Sequence, residues 1–307
     1  MNLNENAVNI AKELIERKSE LNIEHFELEN GTKIIDCGVN APGSLEAGRL
    51  FALACMGGLA EIEIKDRGLG LKKVIVKTEH PAISCLASQK AGWCIDAEGY
   101  FALGSGPARI LAKKPKETIE KVGYVEEADA SLIALESGKF PPAQICDMIA
   151  RECGIRPENL YVLIARTASL AATVQISARM VETCLFKMDH LGYDTNTIKS
   201  ASGTAPIAPL IGDDNLMMGL TNDMVIYGSS VSLEADADFD VDKIPSSSSP
   251  DYGRPFAQIF KDAGYNFYKI DEGIFAPALV SIENTQTNEI KKAGEINNDI
   301  IGRVTKK

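Results

Sequence analysis

The chain is organised around ASLAATVQISARMVETCLFKMDH, the segment from Ala168 to His190. Only Arg179 and Glu182 are charged among the twenty residues that precede Lys187, although charged residues make up 24% of the chain. This composition predicts one long, mostly buried helix. At about 100° per residue, a set of apolar side chains falls on one face, as expected for a face that packs into a core. The members of this face are Leu170, Val174, Val181, Leu185 and Met188.

A second face of the same helix carries polar and aromatic groups, at Gln175, Arg179, Glu182 and Phe186. An arginine and a glutamate three residues apart usually form a weak surface ion pair. Here arginine precedes glutamate, which is the poorer order for the helix dipole, and the neighbouring residues are apolar. Such a pair must be hydrogen-bonded or open to a wet cleft, because an isolated buried charge is very costly. Since clefts are where chemistry usually occurs, Arg179 and Glu182 are the candidate catalytic residues.

Composition and charge limit the class of protein. With 307 residues, 45% of them hydrophobic, the chain is long enough for two domains of ordinary size or one large one. The net charge of −11 argues against a nucleic-acid or anionic-membrane binder, because such surfaces need basic patches. No apolar run reaches the roughly 18 residues of a membrane span, and the N-terminal segment is typical of an amphipathic helix rather than a signal peptide. We therefore expect a cytoplasmic protein.

The histidines and cysteines do not indicate a metal site. The three histidines are isolated, and the seven cysteines are scattered without a Cys-x-x-Cys pair. The cysteines are expected to be reduced and mostly buried. A mechanism on this chain would use carboxylate, arginine and backbone donors, with no metal.

The order of the predicted elements indicates an α/β fold. From Ser131 to Thr167, a strand, a helix closed by Gly154 and a strongly apolar strand follow one another, which is typical of a partly parallel sheet. Earlier, two short strands meet as a hairpin at the turn Asn30-Gly31. We expect two α/β domains, residues 1–125 and 126–307, with an active-site cleft between them and a boundary placed to within some tens of residues. An alternative returns the C-terminal strand to the first domain.

The segment YFALGSGPARIL predicts a strand, a small-residue loop and a helix start. Backbone N–H groups at a helix start attract negative charge, so Ser105, Gly106, Arg109 and Lys113 are candidate anion ligands. The segment is neither a phosphate loop, which needs Gly-Lys-Ser/Thr, nor a dinucleotide fingerprint, and a plain tight turn is an equal alternative. A phosphotransferase built on this loop would need magnesium and a nucleotide.

Four segments carry a family resemblance: CLASQKAGW (85–93), ALGSGPAR (102–109), SARMVE (177–182) and FYKIDEGIFAPA (267–278). Together they resemble the methenyltetrahydromethanopterin cyclohydrolases of archaeal methanogens and methylotrophic bacteria. The resemblance implies a cytoplasmic enzyme of one-carbon metabolism that interconverts the methenyl and 5-formyl forms of tetrahydromethanopterin without a metal or redox cofactor. It also implies a homotrimer of two-domain α/β subunits, with the pterin bound between the domains.

In that family an arginine and a glutamate three residues apart act at the reacting carbon, and by motif they fall on Arg179 and Glu182. The bridging carbon of the substrate is an amidinium-type cation, so it needs only a positioned water and a proton path. Glu182 can take a proton from the attacking water and return it to the leaving nitrogen. Arg179 can orient Glu182 and favour its ionised form. The alternative is a non-catalytic pterin- or phosphate-binding module in which the pair is structural.

Further residues are candidates for binding the pterin. Its tail carries a phosphate and carboxylates, which an acidic protein would repel without a local positive site, so the anion ligands named above are assigned to the tail. Aromatic and amide side chains are assigned to the flat ring, with ordinary core packing as the alternative for each. The complete set of substrate-binding candidates is Asn40, Ser44, Gln89, Trp93, Ser105, Gly106, Arg109, Lys113, Gln175 and Phe275.

Overall fold

The computed structural model describes residues 1–68, 71–264, 266 and 269–305. The chain divides into two compact units, each made of two chain segments. Unit 1 comprises Met1–Ala60 and Ile83–Gln175, and unit 2 comprises Glu61–Ala82 and Ile176–Lys307. Each unit contains a mixed sheet and helices, so the predicted α/β class is confirmed.

The strands are β1 (Glu24–Glu27), β2 (Lys33–Gly38), β3 (Glu61–Gly68), β4 (Leu71–Thr78), β5 (Trp93–Ala97), β6 (Tyr100–Ser105), β7 (Ser131–Glu136), β8 (Leu160–Ala165), β9 (Ile198–Pro206), β10 (Ser230–Ala235), β11 (Leu279–Asn284) and β12 (Ile290–Gly294). The α-helices are α1 (Leu3–Glu16), α2 (Lys18–Leu21), α3 (Leu45–Cys55), α4 (Ala108–Ala112), α5 (Lys116–Val122), α6 (Ala143–Cys153), α7 (Leu170–Ser177), α8 (Met180–His190), α9 (Asp214–Gly228), α10 (Phe256–Asp262) and α11 (Asn298–Val304). A π-helix spans Ala82–Gln89.

Among the described residues, the sheet of unit 1 has six strands in the order β1-β2-β8-β7-β6-β5. The inner strands β2, β8 and β7 are parallel, and the outer pairings are antiparallel. Every residue of β8 is buried, as its continuous apolar sequence requires when both faces of a strand are covered. The predicted strand–helix–strand unit is confirmed, because β7 and β8 are parallel and α6 between them ends at Gly154, whose φ is 70°. The predicted hairpin is confirmed by the pairing of β1 with β2.

In the described part of unit 2, six strands follow the order β12-β11-β10-β9-β4-β3. Only β10 and β11 are parallel among these pairings. Helix α8 packs on β9 and β10, while α9 packs on β9 and on helices α10 and α11. A Cβ placed on Gly203 in β9 would lie 2.7 Å from the Met180 side chain, so the start of α8 approaches the sheet closely at this glycine.

The two units differ from the predicted domains 1–125 and 126–307. Strands β7 and β8 belong to the sheet of unit 1, and the β3–β4 hairpin belongs to unit 2 because β4 pairs with β9. The C-terminal strands β11 and β12 stay in the sheet of unit 2. Pairing between β4 and β9 joins segments more than a hundred residues apart, a contact that local sequence patterns do not predict. The predicted cleft between domains stays a prediction.

Candidate active site

The segment from Ala168 to His190 forms two helices, α7 and α8, rather than the single helix that its composition predicted. A turn that includes Arg179 separates them. At this turn the Arg179 N–H donates to the Ile176 carbonyl at 3.1 Å, and the Ser177 hydroxyl donates to the Pro206 carbonyl at 2.8 Å. The helical segment is thus interrupted where it is tied to the end of β9.

The interruption changes the electrostatic setting of Glu182. Because α8 begins at Met180, Glu182 lies in its first turn, where the helix dipole favours a negative charge by about 0.3–1 kcal/mol, or up to about 2 kcal/mol at a partly buried site. The order of Arg179 and Glu182, unfavourable in one continuous helix, is therefore favourable for the glutamate. Glu182 is only 6% exposed, and the helix start offsets part of the cost of keeping its charge away from water. Arg179, at the N-cap position of α8, is half-buried.

Helix α8 is held in place by a buried lysine that the sequence analysis missed. Lys187 Nζ donates to the Gly273 carbonyl at 3.1 Å. Burial lowers the pKa of Lys187, and the nearby Asp271 carboxylate acts in the opposite direction. Asp271 also accepts a hydrogen bond from the Ser249 hydroxyl. The sequence signal that could have identified Lys187 is a single lysine among the mostly apolar residues of this helix. The hydrogen bond of Lys187 joins α8 to the short turn before Phe275.

Phe275 belongs to the same unit as the candidate catalytic residues. Its ring is half-buried, and its centroid lies 5.5 Å from that of Phe256. Part of the ring is therefore used in packing, and its contact with the pterin stays a prediction. Phe267 and Tyr268, in the same motif, lie outside the described residues.

In unit 1, Arg109 is completely buried and bonded to backbone carbonyls. Its Nη1 donates to three carbonyls at the end of the π-helix at 3.0 to 3.1 Å, and its Nε donates to the Lys114 carbonyl at 2.8 Å. A Cβ on Gly92 would lie 2.6 Å from Nη2, so only glycine leaves room for the guanidinium. Arg109 thus holds this end of the π-helix, and a direct phosphate contact, which needs an accessible guanidinium, stays a prediction. The three carbonyls belong to Leu86, Ala87 and Ser88.

The loop predicted as an anion site is tied to the same π-helix. Ser105 is buried, and the Gly106 N–H donates to the Ser88 carbonyl at 2.9 Å, so this N–H is already used. Gly106 has a φ of 97°, a left-handed conformation that favours glycine. Lys113 is exposed and forms no ion pair within the described ranges. The motifs CLASQKAGW and ALGSGPAR therefore form one structural unit, and the phosphotransferase alternative loses a donor that it would require.

Gln89 and Trp93 are both buried in unit 1. Gln89 is the last residue of the π-helix, a rare conformation that is often found at functional sites. Trp93 is 5% exposed and packs in the core with Ile95 and Ile133. Core packing accounts for Trp93, whereas the position of Gln89 keeps it among the candidates.

The loop that carries Asn40 is organised by a buried carboxylate. Asp36 accepts hydrogen bonds from the backbone N–H groups of four successive residues at 2.6 to 2.9 Å. The Ser44 hydroxyl accepts from the Ala47 N–H at 3.1 Å and caps α3. The loop is therefore preorganised by its own sequence, and Ser44 has a structural task. The four N–H groups belong to Gly38, Val39, Asn40 and Ala41.

The structure separates two groups of candidates within unit 1. Gly38, the last residue of β2, pairs with the last residue of β8, which pairs in turn with the last residue of β7. The Asn40 loop therefore lies at the carboxyl ends of the parallel strands. Strand β6 runs in the opposite direction, and Gly106 lies beside Leu132 at the start of β7. Asn40 and Gly106 are therefore at opposite edges of the sheet. Gln175, on α7, is 3% exposed.

No group of three His, Cys, Asp or Glu side chains is placed to hold a metal ion in the described part of the chain. Six of the seven cysteine side chains are buried, as expected, and Cys94 is exposed. Burial raises the pKa of Cys146 and of Cys153 to about 12, so these two thiols are poor nucleophiles. No helix in the described residues is long and apolar enough to cross a membrane.

Comparison with known proteins gives consistent matches along the whole chain. A family model described as Cyclohydrolase (MCH) matches residues 2–304. The chain is 47% identical over 313 residues to the methenyltetrahydromethanopterin cyclohydrolase of Methanocaldococcus jannaschii, covering 98% of this chain and 97% of that protein. It is 47% identical over 309 residues to the protein of the same name from Methanococcus maripaludis strain S2, covering 97% and 96%. For Methanospirillum hungatei the identity is 45% over 306 residues, covering 98% and 97%.

Proposed function

This chain belongs to the methenyltetrahydromethanopterin cyclohydrolase family, and from that premise we propose that it reversibly hydrolyses 5,10-methenyltetrahydromethanopterin to 5-formyltetrahydromethanopterin. The observation that carries the chemistry is the position of Glu182. It is a buried carboxylate in the first turn of α8, three residues after Arg179. We take this carboxylate as the base of the reaction, because the start of α8 favours its ionised form.

In the proposed reaction, a water molecule attacks the methenyl carbon, whose positive charge is shared with two ring nitrogens. Glu182 accepts one proton of the water as the new C–O bond forms, which gives a tetrahedral carbon. The bond from this carbon to N10 then breaks, and Glu182 returns its proton to N10. The hydroxyl group on this carbon releases its proton, the second one of the original water, to solvent as the formyl C=O bond forms, and the formyl group stays on N5. The same steps in reverse give the condensation.

Arg179 is proposed to orient the reacting groups. A guanidinium one turn before Glu182 stabilises the ionised carboxylate and can donate to the attacking water or to the developing oxygen. The break between α7 and α8 is what places Arg179 at the N-cap position and Glu182 in the first turn. A continuous helix would not give the glutamate a helix start of its own.

The reaction is proposed to need no metal or redox cofactor. The substrate carbon is already cationic, so no Lewis acid is required to make it electrophilic. No electrons are transferred between methenyl and formyl forms, because both have the oxidation level of formate. The reaction therefore needs no type of catalysis other than proton transfer and positioning of the reactants. General acid–base catalysis typically increases a rate by about 10²–10⁴-fold.

For substrate binding, Lys113 is the better candidate for the phosphate of the tail. Its side chain is exposed, whereas the guanidinium of Arg109 is used by backbone carbonyls. Gln89 and Gln175 are proposed as polar contacts to the pterin ring, supported by the position of Gln89 at the end of the π-helix and of Gln175 on α7, the helix that precedes Arg179. Replacing Lys113 with alanine should raise KM and leave kcat unchanged if this assignment is right.

The chain is also proposed to act in the cytoplasm as a homotrimer. The support is the family resemblance of its four motifs. Light scattering coupled to size-exclusion chromatography should then give a mass of three chains, each of 33.1 kDa. A mass of one or two chains across the working concentration range would reject the trimer.

The function is tested by mixing the purified protein with the methenyl substrate and following the loss of the methenyl absorbance. We expect turnover in the natural chain and its near-complete loss in Glu182→Gln. Glu5→Gln is a matched control, because Glu5 is an exposed acid in the first turn of α1. Absence of turnover in the natural chain, with demonstrated binding of the substrate, would favour the non-catalytic binding module instead.

A further inference from the structure

Unit 2 contains a pocket outside the residues assigned to the proposed reaction. It has a volume of about 420 Å³ and lies where helices α9, α10 and α11 meet. Its wall is apolar apart from one carboxyl group and one guanidinium. We call it the Asp223 pocket, and its lining residues are Ile211, Leu216, Leu220, Asp223, Pro255, Ala257, Arg303 and Val304.

The carboxyl group in this wall has an unused oxygen. Asp223 is 1% exposed, and its Oδ1 accepts the Phe256 N–H at 2.8 Å at the start of α10. Within the described ranges, Oδ2 accepts no hydrogen bond, which leaves it as the oxygen available to the pocket. Burial raises the pKa of Asp223 to about 7, and the Phe256 N–H is the only group that acts in the opposite direction. Within the described part of the chain, no lysine or arginine forms an ion pair with Asp223, although the Arg303 guanidinium lines the same pocket.

The pocket is a built feature rather than loose packing. A Cβ on Gly219 of α9 would lie 2.6 Å from the Ala257 Cβ of α10, so the two helices are in close contact at its wall. The bond from Phe256 N–H to Asp223 fixes the same two helices to each other. A buried acceptor without a partner is costly, and native proteins usually satisfy it. An acceptor left open at an apolar pocket therefore points to a ligand that brings the donor.

We propose that the Asp223 pocket binds a small organic cation, with an apolar body against the helices and one ammonium group that donates to Oδ2 of Asp223. The apolar wall favours a hydrocarbon or aromatic body, and the carboxylate favours a positive donor over a neutral or anionic one. Arg303, exposed and without an ion pair among the described residues, also lines the pocket, so we expect a ligand with a single positive charge rather than two. This site goes beyond the proposed hydrolysis and does not depend on it.

The test uses the full chain and 2-phenylethylammonium as the probe, by isothermal titration at pH 8. We expect saturable binding with one site per chain. Asp223→Asn should weaken it at least tenfold, and 2-phenylethanol, of nearly the same shape but without the charge, should bind at least tenfold more weakly than the probe. Ala257→Leu, which keeps the carboxylate and fills the pocket from an exposed position, should also abolish binding.

Three outcomes would overturn the proposal. One is binding of equal strength in Asp223→Asn, and another is equal binding of the ammonium and the alcohol. The third is no saturable binding of the probe, and a change in sedimentation on Ala257→Leu would then show that a second copy of the chain occupies the pocket. Thermal unfolding of each variant shows whether it is folded. If either Asp223→Asn or Ala257→Leu fails to fold, the binding measured with the other variant still decides the test.

Discussion

Replacing Asp223 with asparagine should stabilise the protein at pH 8 and change its stability little below pH 4, because burial raises the pKa of this carboxyl from 3.8 to about 7. The folded protein keeps the proton up to about pH 7, whereas the unfolded chain releases it near pH 3.8. The stability that this group contributes is complete below pH 3.8, falls as the pH rises to about 7, and stays low above that. Asparagine does not titrate, so the variant avoids this loss.

The size of the effect follows from the difference of about three between the folded and unfolded pKa values, at about 1.4 kcal/mol for each pH unit. The full loss is about 4 kcal/mol above pH 7, of which about 3 kcal/mol falls between pH 5 and pH 8. The amide oxygen of asparagine can still accept the Phe256 N–H that Oδ1 accepts at 2.8 Å. For a chain of this length, the change between the two pH values corresponds to about 5 °C in Tm.

Differential scanning calorimetry at pH 5 and pH 8 measures this effect. The Tm of Asp223→Asn minus that of the natural chain should grow by about 5 °C from pH 5 to pH 8. Asp299→Asn, which removes an exposed carboxyl from the first turn of α11, is the control and should show the same difference at both pH values. A difference for Asp223→Asn that is constant or shrinks with pH would refute the assigned cost of burial.

Three further substitutions and one treatment test other parts of the account. Arg109→Ala should lower the free energy of unfolding by about 3–5 kcal/mol, because buried carbonyls lose their donor. Unfolding is measured by the fluorescence of Trp93 in unit 1, and Lys113→Ala is the exposed control. Gly92→Ala should cost about 1–3 kcal/mol alone and less in the Arg109→Ala background, where the contact with Pro115 Cδ at 2.7 Å remains, and equal costs would reject the clash with Arg109. Asp36→Asn should cost about 1–3 kcal/mol in the same assay, because an amide cannot accept all four N–H groups, and an unchanged midpoint would contradict this. Treatment with a strong chelator should leave kcat unchanged, and loss of activity restored by metal would end the metal-free proposal.

Local patterns in the sequence predicted the parts of the fold that depend on neighbours in the chain. The continuous apolar run of β8 and the glycine that ends α6 identified a parallel pair, and the turn at Asn30-Gly31 identified the first hairpin. The motifs that carried the family resemblance fall on elements that the structure connects, such as the π-helix and the loop at Gly106. The parallel pair and the hairpin are encoded within short segments and could be derived without coordinates, whereas the hydrogen bond between the π-helix and the loop at Gly106 could not.

Other features depend on residues far away in the sequence. The break between α7 and α8 has no glycine or proline to announce it, and it coincides with the bond of Ser177 to Pro206 in β9. Arg109 has the pattern of an exposed helix start, and only the carbonyls of a segment some twenty residues earlier explain its burial. The domain boundary was missed for the same reason, since β4 pairs with the distant β9.

The most direct test of the central claim is to measure binding and turnover separately in Glu182→Gln. If Glu182 carries the proton to and from the attacking water, kcat should fall by about a thousandfold, while Kd for the methenyl substrate, from equilibrium titration, stays within about threefold. Glu5→Gln should leave both quantities unchanged. A Glu182→Gln enzyme that keeps a kcat within about tenfold of the natural chain would contradict the assignment of Glu182 as the general base.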